Sequence, residues 1–153
     1  MKKAYAFLAT GFEEVEALAV IDVLRRAGVD VTTVSISDDK LVTGSHNIPI
    51  MADAFFADIK DSDAHLYFLP GGLDGTNNLG AHKELCQLLI DKFNEGRHIS
   101  AVCAAPSVLG KLGILNGKKA TCYPGFEEYL EGATVLTSDR SIRVVTDGNV
   151  TTS

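Results

Sequence analysis

Cysteine is scarce in this sequence, and none of it is paired. Cys86, Cys103 and Cys122 form no CxxC couple and leave an odd count, which argues against a disulfide framework and fits a reducing compartment. Positive charge is also short, with 14 Lys and Arg against 20 Asp and Glu and a net charge of −6. A nucleic-acid surface needs a basic patch, so nucleic acid is not expected as a partner. Long apolar runs are missing too. The N-terminal MKKAYAFLATGFEE meets Glu13 and Glu14 too soon for a signal-peptide core, and no later stretch could span a membrane. The chain reads as cytoplasmic, with no membrane partner. His46, His65, His82 and His98 lack metal-ligand spacing with one another or with the cysteines, so no metal is expected. The loop after the first strand lacks GxGxxG, and PGGLDGTNN lacks the Gly-Lys-Ser/Thr of a P-loop. No cofactor is therefore expected.

What is present suits one domain. The chain has 153 residues, 46% hydrophobic and 22% charged, ordinary values for a globular fold with a real core. Lys3 to Ala9 reads as a buried strand, and Glu13 to Ala27 as a helix closed by Gly28. VDVTTVSIS, AHLYFLPGG, HISAVC and KKATCYP read as further strands; HKELCQLLIDKFNEG and APSVLGKLG read as helices. Leu41 to Met51 is a short extended excursion broken by Gly44 and Pro49, and SIRVVTDGNVTTS is a hairpin around Asp-Gly. Helices between continuous apolar strands indicate an α/β fold, a mostly parallel sheet covered on both faces. No helix follows the last strand to cover the sheet. The expectation is thus a single domain over residues 1–153, incomplete at its C-terminus.

Three features carry chemistry. In open parallel sheets, ligands gather at the carboxyl ends of the strands. Cys103 sits there, at the seam between a strand and a helix, where a nucleophile elbow would expose a thiol. The free N–H groups and dipole of the following helix would favour its thiolate. The pattern alone leaves open the alternative of a small core cysteine, the reading given to Cys86 and Cys122. Glu16 heads an apolar stripe with Val20, Val23, Leu24 and Ala27. A desolvated carboxyl there stays protonated and can hold a thiolate, unless it reaches solvent near the helix start. Glu13 and Glu14 read simply as favourable charges in the first helical turn. The LPGG turn, with Gly71 and Gly72, exposes backbone N–H groups that with that of Ala104 could form an oxyanion hole; a plain tight turn is the alternative.

Taken together, GFEEVEA…DVLRRAG (residues 11–28), LPGG (69–72), AVCAAPSVL (101–109) and LTS…VVTDGNVTTS resemble the ThiJ/PfpI family, in its parkinsonism-associated deglycase branch (class I glutamine amidotransferase-like superfamily). The resemblance implies a flavodoxin-like three-layer sandwich, a homodimer, a reactive Cys103 and a partner carboxyl at Glu16. It suggests Gly72 and Ala104 as oxyanion donors and Arg26 as a residue reaching toward the partner subunit's site. Where many relatives carry histidine before proline, this chain has Tyr123, and a phenol cannot serve as a neutral-pH general base as imidazole can. His46 stands where relatives often have an anion-binding arginine and is a candidate substitute for the missing imidazole. The family also continues past TTS with a turn and a covering helix. The implied function is a glyoxalase- or deglycase-like enzyme acting on small aldehydes or glycated substrates through a thiolate. Two alternatives stand: a redox-sensing or stress-protective protein whose cysteine is oxidised to sulfinate, and a thiol peptidase.

Overall fold

A computed structural model describes residues 2–136 and 141–153. Of the motifs above, Thr137 and Ser138 of LTS lie outside the described residues. Chain order is β1 (Lys3–Leu8), α1 (Glu14–Arg26), β2 (Asp30–Ser35), β3 (Leu41–Thr43), β4 (Pro49–Met51), β5 (Ala54–Phe55), α2 (Phe56–Ile59), β6 (Leu66–Leu69), α3 (Leu73–Ala81) and α4 (Lys83–Asn94). There follow β7 (His98–Ala101), α5 (Pro106–Lys111), β8 (Lys119–Ala120), a 3-10 turn at Glu127–Tyr129, β9 (Thr134–Val135), β10 (Val145–Asp147) and β11 (Val150–Thr152).

Seven strands form one sheet in the order β10-β11-β7-β6-β1-β2-β5. All neighbours in it are parallel except the β10–β11 hairpin around Asp147-Gly148. Tyr5 of β1 lies opposite Thr32 on one side and Tyr67 on the other. The central strands are apolar throughout because both faces are covered. Tyr5, Phe7 and Ala9 point into a core with Leu79, Leu85, Leu89 and Leu109 of α3, α4 and α5. Ala4, Ala6 and Leu8 alternate to the other face, against Ala17 and Ile21 of α1 and Val42 and Ala52 of the β3–β4 region. This is the expected three-layer α/β sandwich.

Three details differ from the sequence reading. KKATCYP does not join the sheet; only β8 is extended, paired with β9 in a separate ribbon. The Gly- and Asn-rich LDGTNNLGA is helical, as α3. Glycine disfavours a helix locally, but a Cβ at Gly75 would lie 2.7 Å from the backbone of Phe12, so close packing selects it. The buried face of α1 is centred on Glu14, Ala17 and Ile21, while Val23 is 63% exposed. The extended excursion expected over Leu41 to Met51 is present, its two arms paired as an antiparallel hairpin, β3–β4. Among the described residues no helix is long and apolar enough to cross a membrane.

Candidate active site

The turn after β7 brings Cys103 above the carboxyl end of the sheet in a left-handed conformation, φ 60°. A non-glycine residue rarely adopts it, and it persists where surroundings over-determine it. Here both backbone groups are tied: the N–H donates to the Ser153 carbonyl at 2.7 Å, and the carbonyl accepts from Tyr123 N–H at 2.8 Å. The turn after β6 meets it. Gly71 approaches so closely that a Cβ would lie 2.3 Å from Glu16 Oε2 and 2.5 Å from Cys103 Cβ. Gly72, at φ 89°, is equally constrained, since its Cβ would strike the Gly11 carbonyl at 2.3 Å. Glu16 completes the group from the first turn of α1. Glu13 caps that helix by accepting from Glu16 N–H at 2.7 Å.

Glu16 and Cys103 share a side-chain hydrogen bond. Gly71 N–H donates to Glu16 Oε2 at 3.0 Å, so this amide orients the carboxyl. The Gly72 and Ala104 amides bond to the Cys103 sulfur instead. Of the three amides singled out as oxyanion donors, two therefore face the sulfur and the third holds Glu16. Burial pushes the Glu16 carboxyl up, and the nearby Glu13 charge adds to this against the bonds from Cys103 and Gly71. Burial also pushes the Cys103 thiol up, followed by the charge and hydrogen bond of Glu16; the Gly72 and Ala104 amides oppose this only in part. The expectation that the helix end favours the thiolate is overturned. Helix α5 has six residues and begins at Pro106, three positions after the thiol, so burial and then the carboxyl beside the sulfur outweigh it. The two groups compete for one proton.

Cys103 and Glu16 open on a cavity of about 440 Å³ lined also by Val20, Cys122, Tyr123 and Arg143. Tyr123 is 58% exposed at its wall. His46 is absent from that wall. It stands on the β3–β4 turn with Nδ1 2.8 Å from Glu14, and this bond raises the imidazole pKa. Arg26 is likewise elsewhere in the chain, 2.7 Å from Asp22 on exposed α1 surface. Glu14 is a charge in the first turn of α1, as expected, but its side chain is only 4% exposed. Its carboxylate also accepts from His46 N–H at 2.7 Å and Ser45 Oγ at 3.2 Å. Burial alone would push Glu14 up, but the bonds from the His46 ring and backbone prevail and hold it down at about 2. Glu13, Glu14 and His46 have donor atoms within 4.8 Å of one another, a set that could ligate a cation. With Glu14 already saturated by the turn, the set acts as an anchor for the hairpin.

Sequence reasoning missed Glu14–His46, Arg143, and that Cys122, buried in the core as expected, also lines the cavity. The first pair is 32 residues apart, and no local periodicity links it. The other histidines are occupied away from Cys103: His98 by Thr151 at 2.8 Å, His82 by Leu85 N–H at 3.1 Å, and His65 by Lys3 N–H at 3.3 Å.

The pattern described as the DJ-1/PfpI family matches residues 2–153. Protein DJ-1 homolog B of Arabidopsis thaliana is 43% identical over 154 residues, covering 99% of this chain and 34% of that protein. The chain thus spans about a third of that relative's length. Protein dj-1beta of Drosophila melanogaster is 38% identical over 152 residues, covering 99% of this chain and 80% of that protein. Among solved structures, the C103A mutant of DJ-1 superfamily protein STM1931 from Salmonella typhimurium superposes with a TM-score of 0.93 at 31% identity, over 99% of this chain and 80% of that one.

Proposed function

The chain belongs to the DJ-1/PfpI family, and from that premise we propose that it is a cysteine-dependent enzyme acting on small reactive carbonyls or their adducts. The observation that carries this reading is the hydrogen-bonded Glu16–Cys103 pair at the mouth of an open cavity. When Glu16 holds the shared proton, Cys103 is a thiolate. Its sulfur attacks the aldehyde carbon of a 2-oxoaldehyde, and the carbonyl electron pair moves to oxygen. The Gly72 and Ala104 amides stabilise that oxyanion, and Glu16 protonates it to a hemithioacetal. The Glu16 carboxylate then removes the proton from the sulfur-bearing carbon and returns it to the neighbouring carbon, while the hydroxyl proton passes to the neighbouring carbonyl oxygen, leaving a 2-hydroxy thioester. Water cleaves the thioester, releasing a 2-hydroxy acid and restoring the thiol.

The working form is a cytoplasmic homodimer. Val15 and Val23 on α1 and Met51 on β4 are 72%, 63% and 64% exposed, apolar surface that suits a second copy. Arg26 lies on the exposed surface of the same helix, where it would extend toward the partner subunit.

A redox-sensing role is the second reading. Among the described residues no histidine lines the cavity, so Glu16 is the proton carrier beside the thiol. Should it fail to cycle, the chemistry of Cys103 ends at oxidation. The thiol-peptidase reading finds no support, since all four histidines are engaged elsewhere.

Consumption of methylglyoxal by the parent, Cys103→Ser and Glu16→Gln proteins tests the proposal. Turnover in the parent and its loss in both variants is expected. Turnover that survives Cys103→Ser refutes the carbonyl reading. A parent no faster than Cys103→Ser, with a thiol that oxidises selectively, establishes the redox reading.

A further inference from the structure

Cys122 lines the same cavity as Cys103, and the mechanism above does not use it. It lies just past β8 on a segment tied once to β11 and once to the Cys103 turn. Thr121 N–H donates to Thr152 Oγ1 at 2.9 Å, and Tyr123 N–H donates to the Cys103 carbonyl at 2.8 Å. The two cysteine Cα atoms are therefore separated by one peptide hydrogen bond. Standard bond lengths and that hydrogen bond make the path about 8.4 Å along its bonds, and the bend at each atom brings the two ends closer than that. Disulfides span Cα separations of about 4.4–6.8 Å. The turn that follows, Tyr123 to Gly125, is exposed, so it can adjust without opening the core. Burial, the Glu127 charge and then the charge of Cys103 push the Cys122 thiol up to about 11; the two sulfurs sense each other. Cys86 is elsewhere, on α4, with its sulfur 3.4 Å from the Gly80 carbonyl.

We infer that Cys122 is the resolving thiol for an oxidised Cys103, and that a hydroperoxide converts the pair to an intramolecular disulfide. This rests on the reading of Cys103 as the reactive thiol. The Cys103 thiolate attacks the hydroperoxide, whose O–O bond breaks to release hydroxide or alkoxide. Sulfur is oxidised by two electrons to the sulfenic acid as the peroxide is reduced. The Cys122 sulfur then attacks Cys103 Sγ; the S–S bond forms, the S–O bond breaks, and the oxygen leaves as water with the Cys122 proton. Two equivalents of a small thiol return both cysteines to the reduced state. Because Cys122 is a weakly ionised thiol, its attack is slow. Limited oxidant therefore yields the disulfide, and excess oxidant drives Cys103 on to sulfinate. The device makes oxidation of the nucleophile reversible.

The test is peptide mass spectrometry of the whole chain after one equivalent of hydrogen peroxide and alkylation, without reductant. The expected result is a Cys103–Cys122 linked peptide that disappears with dithiothreitol, while Cys86 remains alkylated. In Cys122→Ser and Cys122→Ala, each checked for a folded circular dichroism spectrum, Cys103 sulfinate should rise several-fold at the same dose. Equal sulfinate with and without Cys122, or linkage of Cys103 to Cys86, overturns the inference and leaves the carbonyl reading standing. Oxidation spread evenly over all three thiols overturns both together.

Discussion

Alanine at position 71 should disable the site without unfolding the protein. The added Cβ would lie 2.3 Å from Glu16 Oε2, 2.5 Å from Cys103 Cβ and 3.0 Å from its sulfur. Something must move, and the neighbours differ in what they can give. Cys103 Cβ hangs from a left-handed backbone pinned at both its N–H and its carbonyl. The Glu16 carboxyl is the end of a flexible side chain, held by a bond from Gly71 at 3.0 Å and by its bond with Cys103. The carboxyl should therefore be expelled from the sulfur. Overpacking of this kind costs about 1–3 kcal/mol, which a urea titration would read as a lower midpoint with an unchanged slope. The loss of activity should be the larger effect. A displaced Glu16 no longer moves protons, and a positioned acid–base group is worth about 10²–10⁴ in rate. Gly71→Ala should thus approach the kcat/KM of Glu16→Gln, and combining the two should cost little more, because both remove the same contact. Near-parental methylglyoxal turnover in folded Gly71→Ala would refute the reasoning. So would full additivity in the double variant.

Glu14→Gln should destabilise the fold by about 1–3 kcal/mol at neutral pH, because it breaks the bonds that pin the β3–β4 turn. The folded carboxyl is held at about 2, below its ordinary value of 4.5. Its contribution is therefore present above the ordinary value and fades as pH falls toward the folded one; urea midpoints of parent and variant should converge on acidification. A gap that stays constant with pH would contradict this. His46→Ala should lower stability modestly and leave the pH–rate profile unchanged, since the ring lies outside the Cys103 cavity; loss of a limb near the imidazole pKa, about 6.5, would count against it. Tyr123→Phe should leave kcat close to the parental value, the phenol being an exposed wall and not a base. A loss of about tenfold or more would give the hydroxyl a part in proton transfer.

Much of the architecture follows from local pattern. Apolar runs such as AYAFL and LYFL are buried on both faces in a parallel sheet, because alternate side chains feed two cores. Cys103 at a strand–helix seam and Glu16 at the head of α1 were legible because each sits at a fixed offset from an element boundary. Tertiary structure decided the rest. Helix α3 exists because Gly75 packs against Phe12, against the local preference of its glycines. Glu14 is buried because a turn 32 residues away supplies its donors. Cys122 reaches the cavity because its segment hydrogen-bonds to the Cys103 turn. The ionisation of Cys103 is set by burial and a carboxyl from another helix, not by the helix that follows it. Periodicity reports which face of an element is apolar. The charge state of a group depends on which distant atoms fill the space around it, and only the folded chain brings those together.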